Sequence, residues 1–567
     1  MTISQTIEQW IRDVLVGLDI SYEGSIVLEH PRELSHGDFA TNIAMVLAKQ
    51  EHANPRELAE KIVAGLQVNM IDRVSAIEVA GPGFINFRLA ADFFASELNE
   101  IKSQGDQYGF NNSRLGQKIL VEHSSPNLFK PFHIGHMMNN TVGESVCRLA
   151  RATGAEVSVI SYPSDVSLGI GKAVWKFMEY GVETIFEYST ISDKMRFLGK
   201  CYAEGTQAFR DDPSLEPRIR EITQDIYEGR DTEAYRAYQI GKDLNLEYFT
   251  LMTQRLGSKF DDFIFESEAG KIGKDLVIEH TPDIYSRSDG AIIYEGEKDG
   301  LHTRVFINKD GNPTYEAKDT GLLKLKFDRF NPDLSLFVTD HQQQAYFQVV
   351  EKAAGNINPI WEERTCHITH GRMQFKGEKM SSRLGNTPLV SDILEAVGVE
   401  VQSRAKSHLD ETSIDAISLA ALKYSILRVQ AGKDTNFDPE TSLSFEGDSG
   451  PYIQYTYART QTLLAKAQTA EMTPNLEKPE NWETTELEKL MYRFPSVVRS
   501  ATDSWSPHLV VTFVTEFAQA FNSWYGQGKI IDTDNSDSAY KLALVDASAT
   551  IIKNALWLLG INVLKSM

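Results

Sequence analysis

Four residues, His133-Ile-Gly-His136, stand where an apolar run meets an amphipathic one, and that junction limits what the chain can fold into. The run before them, Lys118-Ile-Leu-Val-Glu-His123, reads as a buried parallel strand. After them, Met138, Val142, Val146 and Leu149 recur on one helical face from about Gly135 to Arg151, and Gly154 is placed to end that helix. A second strand-like run, Glu156-Val-Ser-Val-Ile160, comes next. The expectation is a βαβ unit with the histidines at its first turn, and hence a parallel, Rossmann-like sheet. Such sheets bind ligands at the carboxyl ends of their strands, where helix amino termini offer free N–H groups to phosphate. Two imidazoles there can donate hydrogen bonds to phosphoryl oxygens as charge develops, and Gly135 lets a nucleobase approach the backbone.

A second candidate site lies far along the chain. The stretch His370-Gly-Arg-Met-Gln-Phe-Lys-Gly-Glu-Lys-Met-Ser-Ser-Arg-Leu-Gly-Asn386 sets Lys376, Lys379 and Arg383 among Gly371, Gly377 and Gly385. Glycine-flanked cations suit a nucleotide's pyrophosphate because they can follow charge onto a leaving group. Taken together, the His-Ile-Gly-His turn and the Lys379-Met-Ser-Ser382 loop resemble the two signatures of class I aminoacyl-tRNA synthetases.

Residues around the turn narrow the resemblance. Val121-Glu-His-Ser-Ser-Pro-Asn-Leu-Phe-Lys-Pro-Phe-His-Ile-Gly-His136 resembles the arginyl-tRNA synthetase form, which carries a Glu, a Ser-x-Pro-Asn and a Lys before the histidines. Thr314-Tyr-Glu-Ala-Lys-Asp319, Asp340-His-Gln-Gln-Gln-Ala-Tyr-Phe-Gln348 and Phe445-Glu-Gly-Asp-Ser-Gly-Pro-Tyr-Ile-Gln-Tyr455 extend it. So do Ser35-His-Gly-Asp-Phe-Ala-Thr-Asn-Ile-Ala44 and Gly81-Pro-Gly-Phe-Ile-Asn-Phe87 near the amino terminus. The resemblance therefore spans essentially the whole chain.

Composition fits a large enzyme without naming a substrate. With 567 residues the chain has room for several cores. No run of about 18 apolar residues is present, so no membrane-spanning helix is expected. The start, Met-Thr-Ile-Ser-Gln-Thr-Ile-Glu-Gln-Trp10, lacks a basic region followed by an apolar core, so no signal peptide is expected. Cys147, Cys201 and Cys366 are few and far apart, which fits a reducing cytoplasm and gives no metal-ligand spacing. The 57 Lys and Arg against 79 Asp and Glu leave −22, which does not announce an RNA-binding protein. Phosphate contacts depend on local potential, however, and a basic track can run through an acidic remainder.

The resemblance implies an α/β multidomain fold. Residues 1–110 form an α+β amino-terminal domain that grips the tRNA elbow, with Phe84 stacking on the D-loop and Asn86 hydrogen-bonding there. From the residues alone, Phe84 can also be read as sheet core. The catalytic Rossmann-like domain runs over 114–440, with a helix-rich insertion near 180–265 in which no chemistry is evident. Residues 441–567 are an all-α helical bundle that reads the anticodon. There Ser506-Pro507 opens a helix whose apolar face is Val510, Phe513, Phe517, Phe521 and Trp524. Tyr452 and Tyr455, three apart on one helical face, stack on anticodon bases if exposed and are bundle core if buried. Arg459 and Met567 match further family positions near the anticodon.

For chemistry, the resemblance implies ATP-dependent activation of L-arginine, followed by transfer to the 3′ end of tRNA(Arg). A selective arginine site needs a carboxylate that takes the planar guanidinium as a bidentate pair. Asp319 and Tyr315, four apart on an expected helix, match the family's guanidinium end; Glu122, Asn127 and Gln343 match its α-amino and carboxylate end. Choosing Gln343 among three glutamines rests on aligning Tyr346-Phe347 with the family's His-Phe pair. His133, Gly135, His136, Lys379, Met380 and Ser381 match the ATP site. Ser382 stands where the usual pattern has a second lysine, a lack for which Lys130 compensates by family precedent. Lys130, Lys379 and Arg383 are therefore expected to share the triphosphate with His133 and His136. ATP enters as Mg-ATP with no protein-held Mg2+. The partners are tRNA(Arg), arginine and ATP, with no membrane; a cytoplasmic monomer is expected. The same histidine turn also serves stand-alone nucleotidylyltransferases, and a non-catalytic tRNA-binding relative is the other alternative.

Overall fold

The alternation of apolar residues in Val74–Ala80 and Phe84–Leu89 produces a small antiparallel sheet, as the sequence pattern requires. The computed structural model describes every residue except 1, 32, 34, 35, 377–388, 406 and 407. It divides into two units: 1–108 with 459–495 and 516–553, and 109–458 with 496–515 and 554–567.

In the first unit, α1 (Ile3–Gly17), α2 (Ile43–Gln50), α3 (Pro55–Val68) and α4 (Ala91–Gln104) accompany β1 (Phe39–Thr41), β2 (Val74–Ala80) and β3 (Phe84–Leu89). The strand order is β1-β3-β2, with both pairs antiparallel. Ile85, Phe87 and Leu89 enter the core together with Ile7, Trp10 and Ile11 of α1. Thr2 and Gln5 form a capping box at the start of α1, so its first turn is satisfied locally. Tyr492, distant in sequence, joins this core, ringed by Phe39, Phe93 and Phe94.

The second unit is built on five parallel strands in the order β11-β10-β4-β5-β6: β4 (Lys118–Glu122), β5 (Glu156–Ser161), β6 (Asp262–Phe263), β10 (Leu334–Asp340) and β11 (Thr365–His370). Helix α5 (Ile134–Arg151) connects β4 to β5. Four helices, α6 (Leu168–Tyr180), α7 (Ile191–Asp211), α8 (Glu216–Glu228) and α9 (Glu233–Arg255), make up the helix-rich region before β6. After α10 (Glu266–Glu279) comes an antiparallel sheet, β7 (Ser286–Ser288), β8 (Ala291–Tyr294) and β9 (Arg304–Ile307), that the sequence reading did not anticipate. Helix α11 (Tyr315–Phe330) leads into β10, and α12 (Gln344–Ile357) follows it. Strands β12 (Met373–Phe375) and β13 (Thr435–Phe437) pair in parallel.

This strand order reverses direction between β4 and β10, because the chain winds outward through β5 and β6 on one side and through β11 on the other. Such a switch point opens a crevice at the carboxyl ends of the two central strands. Helices α10 and α11 close in beside it. A Cβ on Gly273 would lie 1.7 Å from the carbonyl oxygen of Ala317, and one on Gly321 would lie 2.0 Å from that of Ala269. Only glycine permits that approach. Beyond β13 the described elements are helices, the longest being Gly450–Thr469, His508–Gly526 and Ser538–Leu558. Of the apolar face expected after Pro507, Val510, Phe513, Phe517 and Phe521 are buried. No helix among the described residues is long and apolar enough to cross a membrane.

Candidate active site

Glu122 ends β4 and His133 caps α5, so strand and helix together present the turn at the switch point. The N–H of Gly135 donates to Nδ1 of His133, and the N–H of His133 donates to Nδ1 of His136, each at 3.1 Å. Both Nδ1 atoms are thus acceptors, so each ring carries its proton on Nε2. Burial, followed by the charge of Lys130, lowers the pKa of His133; burial, then His133 and Lys130, holds His136 well below the usual range. The two rings stack with centroids 3.9 Å apart. A Cβ on Gly135 would meet Cε1 of His133 at 3.0 Å, so glycine here also makes room for the first ring.

Asn139, one turn further along α5, locks the helix across the crevice. Its Oδ1 accepts the N–H of Ser124 at 2.6 Å, and its Nδ2 donates to the carbonyl of Val338 in β10 at 2.5 Å. Lys130 places its ammonium 4.8 Å from the centre of the Tyr202 ring. Lys379, Met380, Ser381, Ser382 and Arg383 lie outside the described residues. Their flanks are described: Lys376 donates its N–H to Phe437 at 2.9 Å, and Val390 donates its N–H to Phe132 at 3.0 Å. Leu389 bridges to His133 itself.

Beside the turn, a cavity with about 370 Å³ of unfilled space is lined by Glu122, Tyr162, Asp319, Lys326, Phe337 and Glu351, among others. Asp319 accepts a hydrogen bond from the Tyr346 hydroxyl at 2.5 Å. Burial dominates its titration and, with Glu122 and Glu266 nearby, raises it to about 8 against the pull of that hydrogen bond. Burial likewise raises Glu351 to about 7. Lys326, 2% exposed, forms an ion pair with Glu122. Three carboxyl groups therefore surround one buried cation among the described lining residues, and burial keeps Asp319 and Glu351 partly protonated until a further cation enters.

Of the five residues expected to hold arginine, Glu122 and Asp319 line this cavity. Asn127 and Gln343 are exposed, and Tyr315, the first residue of α11, is 56% exposed; none of the three belongs to the lining. Sequence reasoning missed Lys326, Glu351 and Tyr162. Lys326 lies seven residues after Asp319 on one face of α11, a spacing that was available as a signal. Glu351 and Tyr162 reach the cavity only through tertiary packing. Nearby, Glu266 accepts from Ser164 at 2.8 Å and pairs with Lys318 at 3.0 Å. His123, Glu144 and Cys147 bring metal-ligating atoms within 4.8 Å of one another, but Glu144 is already paired with Arg148 at 2.7 Å.

The expected RNA-contacting residues divide between surface and interior. Phe84 is 37% exposed at the start of β3, while Asn86, on the same strand face, is buried. Tyr452 and Tyr455 are both half-buried on helix Gly450–Thr469. Arg459 hydrogen-bonds to Asn522, with its guanidinium 4.8 Å from the centre of the Tyr525 ring. Met567 is half-buried.

Family models match in three consecutive stretches: "Arginyl tRNA synthetase N terminal domain" over residues 1–89, "tRNA synthetases class I (R), catalytic domain" over 97–438, and "DALR anticodon binding domain" over 453–567. The chain belongs to the arginyl-tRNA synthetase family of class I. This synthetase is similar to the arginine–tRNA ligase of Clostridium perfringens, with 29% identity over 558 residues, 95% of this chain and 96% of that one. It is also similar to the arginine–tRNA ligase of Streptococcus pyogenes serotype M4, with 28% identity over 547 residues, 94% of this chain and 95% of that one. Its fold matches solved arginyl-tRNA synthetases from Thermus thermophilus, with TM-score 0.79 and 21% identity, and from Plasmodium falciparum, with TM-score 0.78 and 17% identity. Each match covers both chains completely. Neither the nucleotidylyltransferase nor the non-catalytic alternative finds support in these matches.

Proposed function

We propose that this synthetase, an arginine–tRNA ligase by family, activates arginine in the carboxylate-lined cavity and ATP at the histidine turn. The observation that carries this reading is the cavity's lining: the carboxyl groups of Glu122, Asp319 and Glu351 beside Lys326, the one cation among its described lining residues, with Asp319 and Glu351 free to ionise once a further cation enters. Arginine brings the two missing cations, a guanidinium for Asp319 and an α-ammonium for the Glu122 end. Asn127, Tyr315 and Gln343, exposed and outside that lining, are assigned to arginine by the family resemblance.

In the first step an oxygen of the arginine carboxylate attacks the α-phosphorus of ATP. The bond to the β-phosphate oxygen breaks, giving arginyl-adenylate and pyrophosphate. Positioning and charge stabilisation suffice, without a protein nucleophile. The Nε2–H groups of His133 and His136 donate to phosphoryl oxygens, and Lys130 shares the leaving charge with Lys379 and Arg383. Gly135, Met380 and Ser381 are assigned to ATP as well. His133 and His136 offer N–H donors and Lys130, Lys379 and Arg383 are cations, which suit phosphate oxygens and not a divalent metal; Mg2+ is taken to travel with the ATP phosphates. In the second step a terminal ribose hydroxyl attacks the arginyl carbonyl, and AMP leaves.

For tRNA, residues 1–110 are assigned to the elbow through Phe84 and Asn86. Residues 441–567 are assigned to the anticodon through Tyr452, Tyr455, Arg459 and Met567, and 114–440 to catalysis. Three unpaired cysteines fit the cytoplasm. The chain is taken to act as a monomer, which light scattering tests. The functional test is aminoacylation of tRNA(Arg) by wild type and D319N. Arginine charging that falls by at least about 100-fold in D319N supports the pocket; unchanged charging overturns it.

A further inference from the structure

Tyr162 follows β5, and its ring packs into an apolar cluster with Leu120, Ile160, Ile264 and Leu322. Its backbone is pinned too, the N–H donating to Oγ of Ser125 at 3.1 Å. The residue is 9% exposed, yet its hydroxyl, fully buried, has no hydrogen-bond partner among the described residues. That hydroxyl belongs to a side chain lining the cavity that also holds Glu122 and Asp319. A buried hydroxyl left unpaired is destabilising, and phenylalanine would fill the same core without that cost. Burial, then the charges of Asp319, Glu266, Glu122 and Asp165, keep the phenol protonated and neutral. The chain thus keeps an oxygen that its fold does not use, at the wall of a pocket short of donors.

We propose that the Tyr162 hydroxyl is a specificity-determining contact for arginine, accepting a guanidinium N–H while the carboxylates take the charge. A guanidinium presents five donors in a planar fork, more than Asp319 can accept with one oxygen already occupied by Tyr346. A neutral acceptor beside the carboxylate rewards a planar, donor-rich head group without adding a further negative charge. Lysine's ammonium carries three donors on one point and lacks the planar fork, so it gains less from a second acceptor. The inference rests on reading this cavity as the arginine pocket.

The test is Y162F in the full-length enzyme, with D319N as the reference, measuring KM for arginine, KM for ATP, kcat and thermal midpoint. Y162F is expected to raise KM for arginine about three- to tenfold, leave kcat and KM for ATP within about twofold, and leave the thermal midpoint unchanged or raised. A merely structural tyrosine would instead lower the midpoint and move all three kinetic constants together, which overturns the proposal. Unchanged KM for arginine in Y162F, with arginine use lost in D319N, overturns the role of Tyr162 and leaves the pocket standing. Unchanged arginine use in D319N removes the pocket, and this inference with it.

Discussion

His133 and His136 stack 3.9 Å apart with both Nδ1 atoms occupied by backbone N–H groups. Their remaining donors are therefore the two Nε2–H groups. The same hydrogen bonds that shape the turn fix the tautomer, so fold and chemistry share one arrangement.

Replacing His136 with alanine is expected to lower kcat by about 10²–10³ while KM for arginine changes little, because the donor acts on charge that develops only in the transition state. His133 also caps α5, so H133A should add a stability loss of about 1 kcal/mol. Steady-state kinetics and chemical denaturation separate the two effects. A full rate in H136A would remove the histidine from catalysis.

Arginine use should depend on pH through Asp319. Its carboxyl titrates at about 8 in the free site, and arginine binds the ionised form. KM for arginine should fall about tenfold per pH unit as pH rises from 6 toward 8 and then level off, with a proton released on binding. For folding the sign is opposite: this carboxyl contributes stability that is present below pH 3.8 and lost as pH rises through about 8. Measuring KM across pH in wild type and D319N checks the first statement. A pH-independent KM in wild type would contradict it.

Breaking the buried Lys326–Glu122 pair from one side should be costly. K326M leaves Glu122 buried without its cation, at about 3–5 kcal/mol of stability, and K326M/E122Q should recover more than half of that. Denaturant unfolding of the single and double variants decides it. Equal losses in both would show that Lys326 acts through packing alone.

Much of this was legible in the sequence. The strand, turn and helix around His133 follow from apolar spacing, and β4, α5 and β5 form within a residue or two of where that spacing puts them. Asp319 was marked by the family resemblance of Thr314–Asp319, which supplies the carboxylate that a guanidinium requires. Lys326 shares a helical face with Asp319, but a lysine on a helix also reads as a solvated charge; the packing of Leu322 and Leu325 against Leu120 and the ion pair with Glu122 settle that it points inward. Tyr162 looks like ordinary core and Glu351 like a solvated helix charge until the fold brings both to the cavity. The β7–β9 sheet was missed because its strands are only three or four residues long, too short for alternation to register. Tyr492 in the amino-terminal core is a long-range contact that no local pattern announces.

Tyr455, half-buried on its helix with the Phe445 ring 6.2 Å away, is proposed to stack on an anticodon base. Y455A should raise KM for tRNA about 10- to 100-fold and leave KM for arginine and ATP unchanged. Aminoacylation at varied tRNA concentration checks this; an unchanged KM for tRNA would return Tyr455 to the bundle core.

Activation of arginine in the carboxylate-lined cavity is read out by ATP–pyrophosphate exchange with purified enzyme. Arginine, lysine and citrulline are compared with and without tRNA(Arg). Of the three, only arginine is expected to drive exchange, since it alone supplies both an α-ammonium and a guanidinium to Glu122 and Asp319. Exchange driven equally by lysine or citrulline, or absent with arginine from folded enzyme and active tRNA, would contradict that expectation.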